Sequence, residues 1–267
     1  MTDMAIVVRT AGGPEVMEWA AVETGDPGRG EVLIAQRAVG VNFIDTYFRA
    51  GSYAWPITPL ILGSEAAGVV EAVGPDVTGF ARGDRVLVHA AAGGVGLLLG
   101  QWLKALGAEV IGTAGSPEKL EVARAHGFAH LIDYRATDFV AGVAAITGGR
   151  GCDVVYDSVG HDTWRGSLKC LKKRGMFVSF GQSSGPIVDF KIADLAAGGS
   201  LFASRPTLFD FIAARTELES RAADLFARLQ RGEVKSHVGA RVALKDAAEA
   251  HRELTGRRTI GATVLLP

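Results

Sequence analysis

The chain has 267 residues, with 28 Lys+Arg against 29 Asp+Glu and a formal net charge of −1. This balance excludes the broad basic footprint of a nucleic-acid binder, and 48% hydrophobic residues exclude a disordered chain. The length suits one large or two small domains. Two cysteines, Cys152 and Cys170, cannot build a disulfide framework and point to a reducing compartment. The N-terminus has no basic region followed by an apolar core. The longest weakly polar stretch, residues 87–100, is too short for a membrane span of ~20 residues. The expected location is the cytoplasm. Glycine is the outlier: 35 residues, nearly double the ordinary ~7%.

In chain order, short strands come first. Residues 5–9, 31–39 and 66–73 read as strands, separated by Gly and Pro punctuation. They suggest a small antiparallel sheet or barrel. After Arg85 the texture changes to strand–helix–strand. Strands are expected over 86–89, 109–113, 129–133, 153–157 and 176–180. Between them, helices are expected over 94–106, 117–126, 136–146 and 163–171. Val95, Leu98, Leu99, Trp102 and Leu106 form the expected buried face of the first. Pro117 is placed as a first-turn proline behind a Ser116 cap. A long helix follows over 217–231, then strand 241–244, helix 247–254 and strand 261–266. Alternating strands and helices imply right-handed βαβ units and a parallel sheet.

The strongest chemical signal opens the first of these helices. Residues 91–96 match G-x-G-x-x-G with alanine at the first glycine, between a strand and a helix. Gly93 lets backbone approach a pyrophosphate, and Gly96 lets the helix pack close to the strand. Ala92, Gly93, Gly94, Val95 and Gly96 are therefore candidate cofactor contacts. An NAD site has an acid ~20 residues on, at the end of the second strand. Residues 111–116 carry none. Ser116 can donate to a 2′-phosphate and Lys119 can neutralise it, while Tyr134 and Arg135 follow the third strand on the same edge. The expected cofactor is NADPH.

Two further turns end parallel strands, one with Ser158 and one with Gly181 and Gln182. Ligands in such sheets bind beyond the carboxyl ends of strands, so all three are candidate contacts. Residues 181–185 also fit G-x-S-x-G, the pattern of an acyl hydrolase with Ser183 as nucleophile and His237 or His251 as base. That pattern needs a helix directly after the serine, and Pro186 opposes one. The six histidines show no metal-binding spacing. His89 reads as a packing or hydrogen-bonding residue.

Together, several runs resemble a known family. They are Gly-Val-Asn-Phe-Ile-Asp-Thr-Tyr at 40–47, Gly-Ser-Glu-Ala-Ala-Gly at 63–68 and His-Ala-Ala-Ala-Gly-Gly-Val-Gly at 89–96. Val-Tyr-Asp-Ser-Val-Gly at 155–160 and Ser-Arg-Pro-Thr at 204–207 complete the set. The chain resembles the zinc-free, zeta-crystallin-like NADPH:quinone oxidoreductases of the medium-chain dehydrogenase/reductase superfamily. The resemblance implies an α/β fold: a doubly wound Rossmann domain over 86–235 and a GroES-like β domain from 1–85 and 236–267. It implies a homodimer joined through the Rossmann sheets. It also implies that Asn42, Tyr47 and Tyr53 line the nicotinamide and quinone cleft. Ser116, Lys119 and Tyr134 would hold the 2′-phosphate end, and Arg257 would reach the cofactor. The zinc enzymes of the superfamily have Cys at Asn42 and His at Ser64, which implies a metal-free site.

One departure stands out. The family carries two Gly-Asp-x-Val turns, one inside the barrel and one opening the Rossmann strand. Here a single copy, at 83–86, leads straight into the glycine loop. Roughly 60 residues are expected to be missing after Val86, judged from length and motif order. They include later barrel strands and part of the nicotinamide wall. The truncated GroES-like domain makes a non-catalytic NADPH-binding or interaction protein the second expectation, and association into a homodimer or larger homo-oligomer part of the first.

Overall fold

The computed structural model describes residues 2–23, 36–55, 57–63, 66–68 and 83–267. The chain divides into two compact units, Met1–Ala72 with Val238–Pro267, and Val73–His237. The first unit opens with β1 (Thr2–Val8), β2 (Met17–Glu23), β3 (Gln36–Val41), α1 (Phe43–Arg49), β4 (Leu60–Ile61) and β5 (Ala66–Gly68). Of the strands expected over 31–39 and 66–73, residues 36–39 and 66–68 are strand. The remainder, with Ser64, lies outside the described residues.

The second unit holds β6 (Arg85–Val88), α2 (Gly94–Ala105), β7 (Glu109–Ala114), α3 (Pro117–Ala125) and β8 (His130–Asp133). It continues through α4 (Phe139–Thr147), β9 (Cys152–Asp157), α5 (Trp164–Lys169) and β10 (Leu171–Ser179). It ends with α6 (Ile192–Ala197), β11 (Phe202–Ser204), α7 (Leu208–Phe211) and α8 (Arg215–Gln230). The chain then returns to the first unit with β12 (Val238–Ala243), α9 (Ala247–Thr255) and β13 (Ala262–Leu266).

The second unit is a six-stranded parallel sheet in the order β11-β10-β9-β6-β7-β8. This is the doubly wound order, with its switch point beside β6. Local chemistry sets the helix ends. Ser116 Oγ accepts from Lys119 N at 3.4 Å, and Pro117 opens α3. Asp138 Oδ1 accepts from Val140 N at 3.1 Å to start α4, and Gly148 ends it at φ +61°. Strand alternation sends Leu87 to one face and Val86 and Val88 to the other. Leu87 joins Ile111, Val155, Trp164 and Phe177 in one core layer. Val86 and Val88 join Leu97, Leu103, Val110 and Phe128 in the second.

The expected buried face of α2 was displaced. Gly96, Leu97, Gly100 and Leu103 are buried, whereas Val95 is 54% exposed. The contact face combines two glycines with two leucines. A side chain at Gly100 would run into the Phe128 ring, 2.8 Å from its Cζ. Trp102 instead carries the Arg228 guanidinium 4.7 Å from its ring centroid. None of β2, α1, β4, α6, α7 and β11 is expected from the sequence pattern.

In the first unit, β1 and β2 pair as a full antiparallel hairpin with β4 on the other edge of β1. A second sheet runs β12-β13-β3-β5. Ile6, Val39, Val41, Ala247, Ala250 and Leu265 form its core. Within that core lies a buried polar link: Arg49 Nη1 and His251 Nδ1 are 2.9 Å apart, and Arg49 Nε donates to Gly12 O at 3.2 Å. Burial, reinforced by the Arg49 charge, pushes His251 from 6.5 down to about 4. His251 is therefore neutral when folded, while the unfolded chain protonates it below about 6.5. The unfolded state binds more protons between these values, so stability is full above the unfolded pKa. It falls as pH drops toward 4, by up to about 3 kcal/mol. Urea unfolding at pH 7 and pH 4.5 checks this, and His251→Gln is expected to flatten the dependence.

Candidate functional site

The turn between β6 and α2 is held from both neighbouring strands. His89 N donates to Tyr156 O and Ala91 N to Thr113 O, each at 3.0 Å. Ala90 sits in the left-handed region at φ +53°, and its carbonyl accepts from Gly93 N at 2.9 Å. A Cβ at Gly96 would overlap the Ala90 carbonyl oxygen and lie 2.8 Å from that of Ala91. Only glycine lets the first turn of α2 sit this close. Gly93 caps α2 with no side-chain bond, and the first turn carries no acid. Its leading N–H groups and positive dipole end therefore suit an anion. Ala92 is buried, Gly94 half-buried and Val95 exposed around that turn.

The ends of β7 and β8 build an adjoining edge. Tyr134 follows β8, and its N donates to Ala114 O at 3.1 Å. The tyrosine ring covers Gly115, where a Cβ would lie 2.6 Å from Cζ. Ser116 and Lys119 start α3 beside it. Burial lowers the Lys119 pKa, and the neighbouring Arg135 guanidinium lowers it further. A phosphate dianion facing both cations would relieve that mutual repulsion. Arg135 was noticed in the sequence without being assigned a contact. Glu118 was missed: the Ser116 hydroxyl bonds its carboxylate and holds that group below the usual carboxylate range.

Ser158 follows β9, while Gly181 and Gln182 follow β10. The two turns are stitched together. Ser183 N donates to Ser158 O at 3.1 Å, and Ser184 N to Val159 O at 2.8 Å. A Cβ at Gly181 would lie 2.7 Å from Ser158 O. All these turns leave the carboxyl ends of parallel strands of one sheet, so they share one edge. The hydrolase pattern has no elbow. Residues 180–191 contain no helix, and α6 begins only at Ile192. His237 packs edge-on against His126, with ring centroids 5.2 Å apart, and His251 is bonded to Arg49.

In the first unit, Asn42 begins α1: its N donates to Asp45 Oδ2 at 2.8 Å, and its carbonyl accepts from Asp45 N at 3.1 Å. Tyr47 lies on α1, and the turn after the helix brings Tyr53 back to it, with ring centroids 5.5 Å apart. Phe48 meets Tyr53 edge-on at 5.5 Å. The turn after α1 thus brings Tyr47 and Tyr53 into ring contact, while Asn42 stands at the other end of the same helix. Arg257 sits in a left-handed turn after α9, at φ +57°. Both cysteines are buried, and burial pushes the Cys152 thiol up to about 12 and raises Cys170 as well. Among the described residues, no group of three or more His, Cys, Asp or Glu gathers to hold a metal. Nor is any helix among them long and apolar enough to cross a membrane.

Comparison with known proteins agrees with this geometry. Residues 94–228 match the family described as zinc-binding dehydrogenase, and residues 28–131 the alcohol dehydrogenase GroES-like domain. The chain is 41% identical to a quinone oxidoreductase of Pseudomonas aeruginosa, over 96% of this chain and 97% of that one. It is 38% identical to a 2-haloacrylate reductase of a Burkholderia species, over 99% of each. The crystal structure of Escherichia coli quinone oxidoreductase complexed with NADPH superposes with a TM-score of 0.91 at 35% identity, covering 99% of this chain and 100% of that one. The Pseudomonas match spans 315 residues against 96% of a 267-residue chain. Roughly 60 positions of that span therefore face no residue here, in line with the single Gly-Asp-x-Val turn.

The two central glycines are expected to respond unequally to alanine. Gly96→Ala forces α2 off the Ala90 and Ala91 carbonyls and is expected to cost about 1–3 kcal/mol. At Gly93 the nearest atom to an added Cβ would be 3.3 Å away, so Gly93→Ala costs markedly less. Denaturant midpoints of the two variants measure the difference.

Proposed function

The chain belongs to the medium-chain dehydrogenase/reductase superfamily, and from that premise we propose that it transfers hydride from NADPH to a quinone or a similar conjugated acceptor. The observation that carries this reading is the uncapped, acid-free start of α2 beside an edge that gathers Lys119 and Arg135. That donor set fits a dinucleotide with a 2′-phosphate. The chemistry supplied by bound NADPH is hydride donation from its nicotinamide. The chain's own residues bind and orient. In this reading Ala92, Gly93, Gly94, Val95 and Gly96 take the pyrophosphate. Ser116, Lys119 and Tyr134, with Arg135, take the 2′-phosphate. Ser158, Gly181, Gln182 and Arg257 complete the cofactor contacts. Asn42, Tyr47 and Tyr53 orient the acceptor, which can draw its proton from water.

We read the site as metal-free, because Asn42 and Ser64 stand where the zinc enzymes of the superfamily carry ligands. Zinc analysis of protein purified without added metal tests that. We read the assembly as a homodimer. β11 is the edge of the parallel sheet and its residues are exposed, as are Leu208, Phe209 and Phe211 just after it. An open edge with apolar side chains invites pairing with a second copy. A cytoplasmic location accords with two free, buried cysteines.

The deciding experiment combines NADPH titration with NADPH oxidation against a panel of quinones and a 2-haloacrylate. Turnover supports the reductase. Binding without turnover supports a non-catalytic NADPH-binding protein, the second expectation that the missing segment raised. Failure of both overturns the reading. Lys119→Ala is expected to weaken NADPH ten- to hundredfold, since a charge-assisted phosphate bond is worth about 1.5–3 kcal/mol, and to leave NADH nearly unchanged.

A further inference from the structure

Beneath the two stitched turns lies a buried polar chain that the cofactor contacts do not use. Asp157, the last residue of β9, is completely buried. Its Oδ1 accepts from Val159 N at 2.8 Å and from Gly160 N at 2.9 Å. Thr163 Oγ1 donates into the same carboxylate at 2.8–2.9 Å, and Ser167 Oγ donates to Oδ2 at 2.7 Å. Ser167 has a single hydroxyl hydrogen, and it goes to Asp157. At 3.0 Å from His89 Nε2, the Ser167 oxygen therefore accepts from an Nε2–H. That leaves His89 Nδ1 to accept from Thr113 Oγ1 at 2.9 Å. The chain thus starts at the residue that opens the glycine loop and ends in the turn that carries Ser158. From there it passes outward. Ser184 Oγ donates to Val159 O at 2.8 Å and accepts from Asp162 N at 3.0 Å, and His161 N donates to Gly185 O at 3.0 Å.

Such a chain has more bonds than the fold needs at this point. The backbone pairings of β6, β7 and β9 already fix the strands. What the side chains add is the conformation of the turn after β9, where four donors converge on one carboxylate. That turn in turn holds residues 183–185 by five hydrogen bonds.

We propose that Asp157 is a positioning residue of the nucleotide crevice: with Thr163, Ser167 and His89 it sets the turn at Ser158 and, through that turn, the one at Gly181 and Gln182. The proposal rests on the NADPH reading above, deepening it with residues that touch no cofactor themselves. Its physical content is coupling. Loosening the carboxylate's donors must loosen both turns, although Ser183 and Ser184 do not touch Asp157.

The test uses the full chain with three substitutions: Thr163→Val, Thr163→Ser and Ser167→Ala. Amide hydrogen exchange is read residue by residue without cofactor, and NADPH affinity by fluorescence titration. Losing one donor is expected to speed exchange at Val159, Gly160, Ser183 and Ser184 about tenfold in Thr163→Val and Ser167→Ala. The α8 amides should stay unchanged in the same variants, which separates coupling from general destabilisation. NADPH affinity should fall about fivefold in both, and Thr163→Ser should restore exchange and affinity. Acceleration confined to Val159 and Gly160, or faster exchange at all four amides with unaltered affinity, overturns the proposal. A parent chain that does not bind NADPH overturns the nucleotide reading instead, and the exchange pattern alone then decides whether the turns are coupled.

Discussion

Helix α2 approaches the turn before it only as closely as the absent side chain at Gly96 permits. The Ala90 and Ala91 carbonyls occupy the space a Cβ would need. The shape of the adjoining sheet edge follows from that contact. It aims the uncapped helix start along the sheet edge, and it leaves Ala90 in a left-handed conformation that an L-residue adopts at some cost. Gly100, one turn further along, continues the close face against Phe128. The helix therefore packs by smallness at one end and by Leu97 and Leu103 along its length.

Charge is organised around the same edge in two different ways. On the β7–β8 side, the Arg135 charge adds to burial in lowering the Lys119 pKa, and two cations on this side suit a dianion. On the β9–β10 side, a buried carboxylate is met by hydroxyl and amide donors rather than by a cation, and the adjoining His89 is kept neutral by burial. Fixed dipoles hold their geometry without a mobile charged side chain. The first arrangement suits recognition of a ligand group, the second the shaping of backbone.

The first unit shows what a shortened chain retains. The β1–β2 hairpin, the four-stranded sheet and the Tyr47–Tyr53 ring contact beside α1 are all formed. The Arg49–His251 link ties α1 to α9 across 202 residues of sequence. Hydride transfer requires its partners within about 3–3.5 Å, so turnover is the property most exposed to a lost wall. Apart from that of Arg257, the turns proposed for the dinucleotide all come from the second unit's own strands.

Contiguous residues determined much of this. Alternation placed the strands of the parallel sheet, Ser116 and Pro117 placed the start of α3, and residues 91–96 specified a strand–turn–helix. These features depend on backbone preference and on neighbours a few residues away, and a local reading captures them. Tertiary structure alone decided the buried face of α2. Large residues suggested Val95 and Trp102, but the contact demanded glycine where Phe128 arrives from another element. Distance in sequence likewise hid the meeting of His89 with Ser167, 78 residues apart. Strand order brings such pairs together, and strand order is set by the packing of the whole sheet, not by any segment within it.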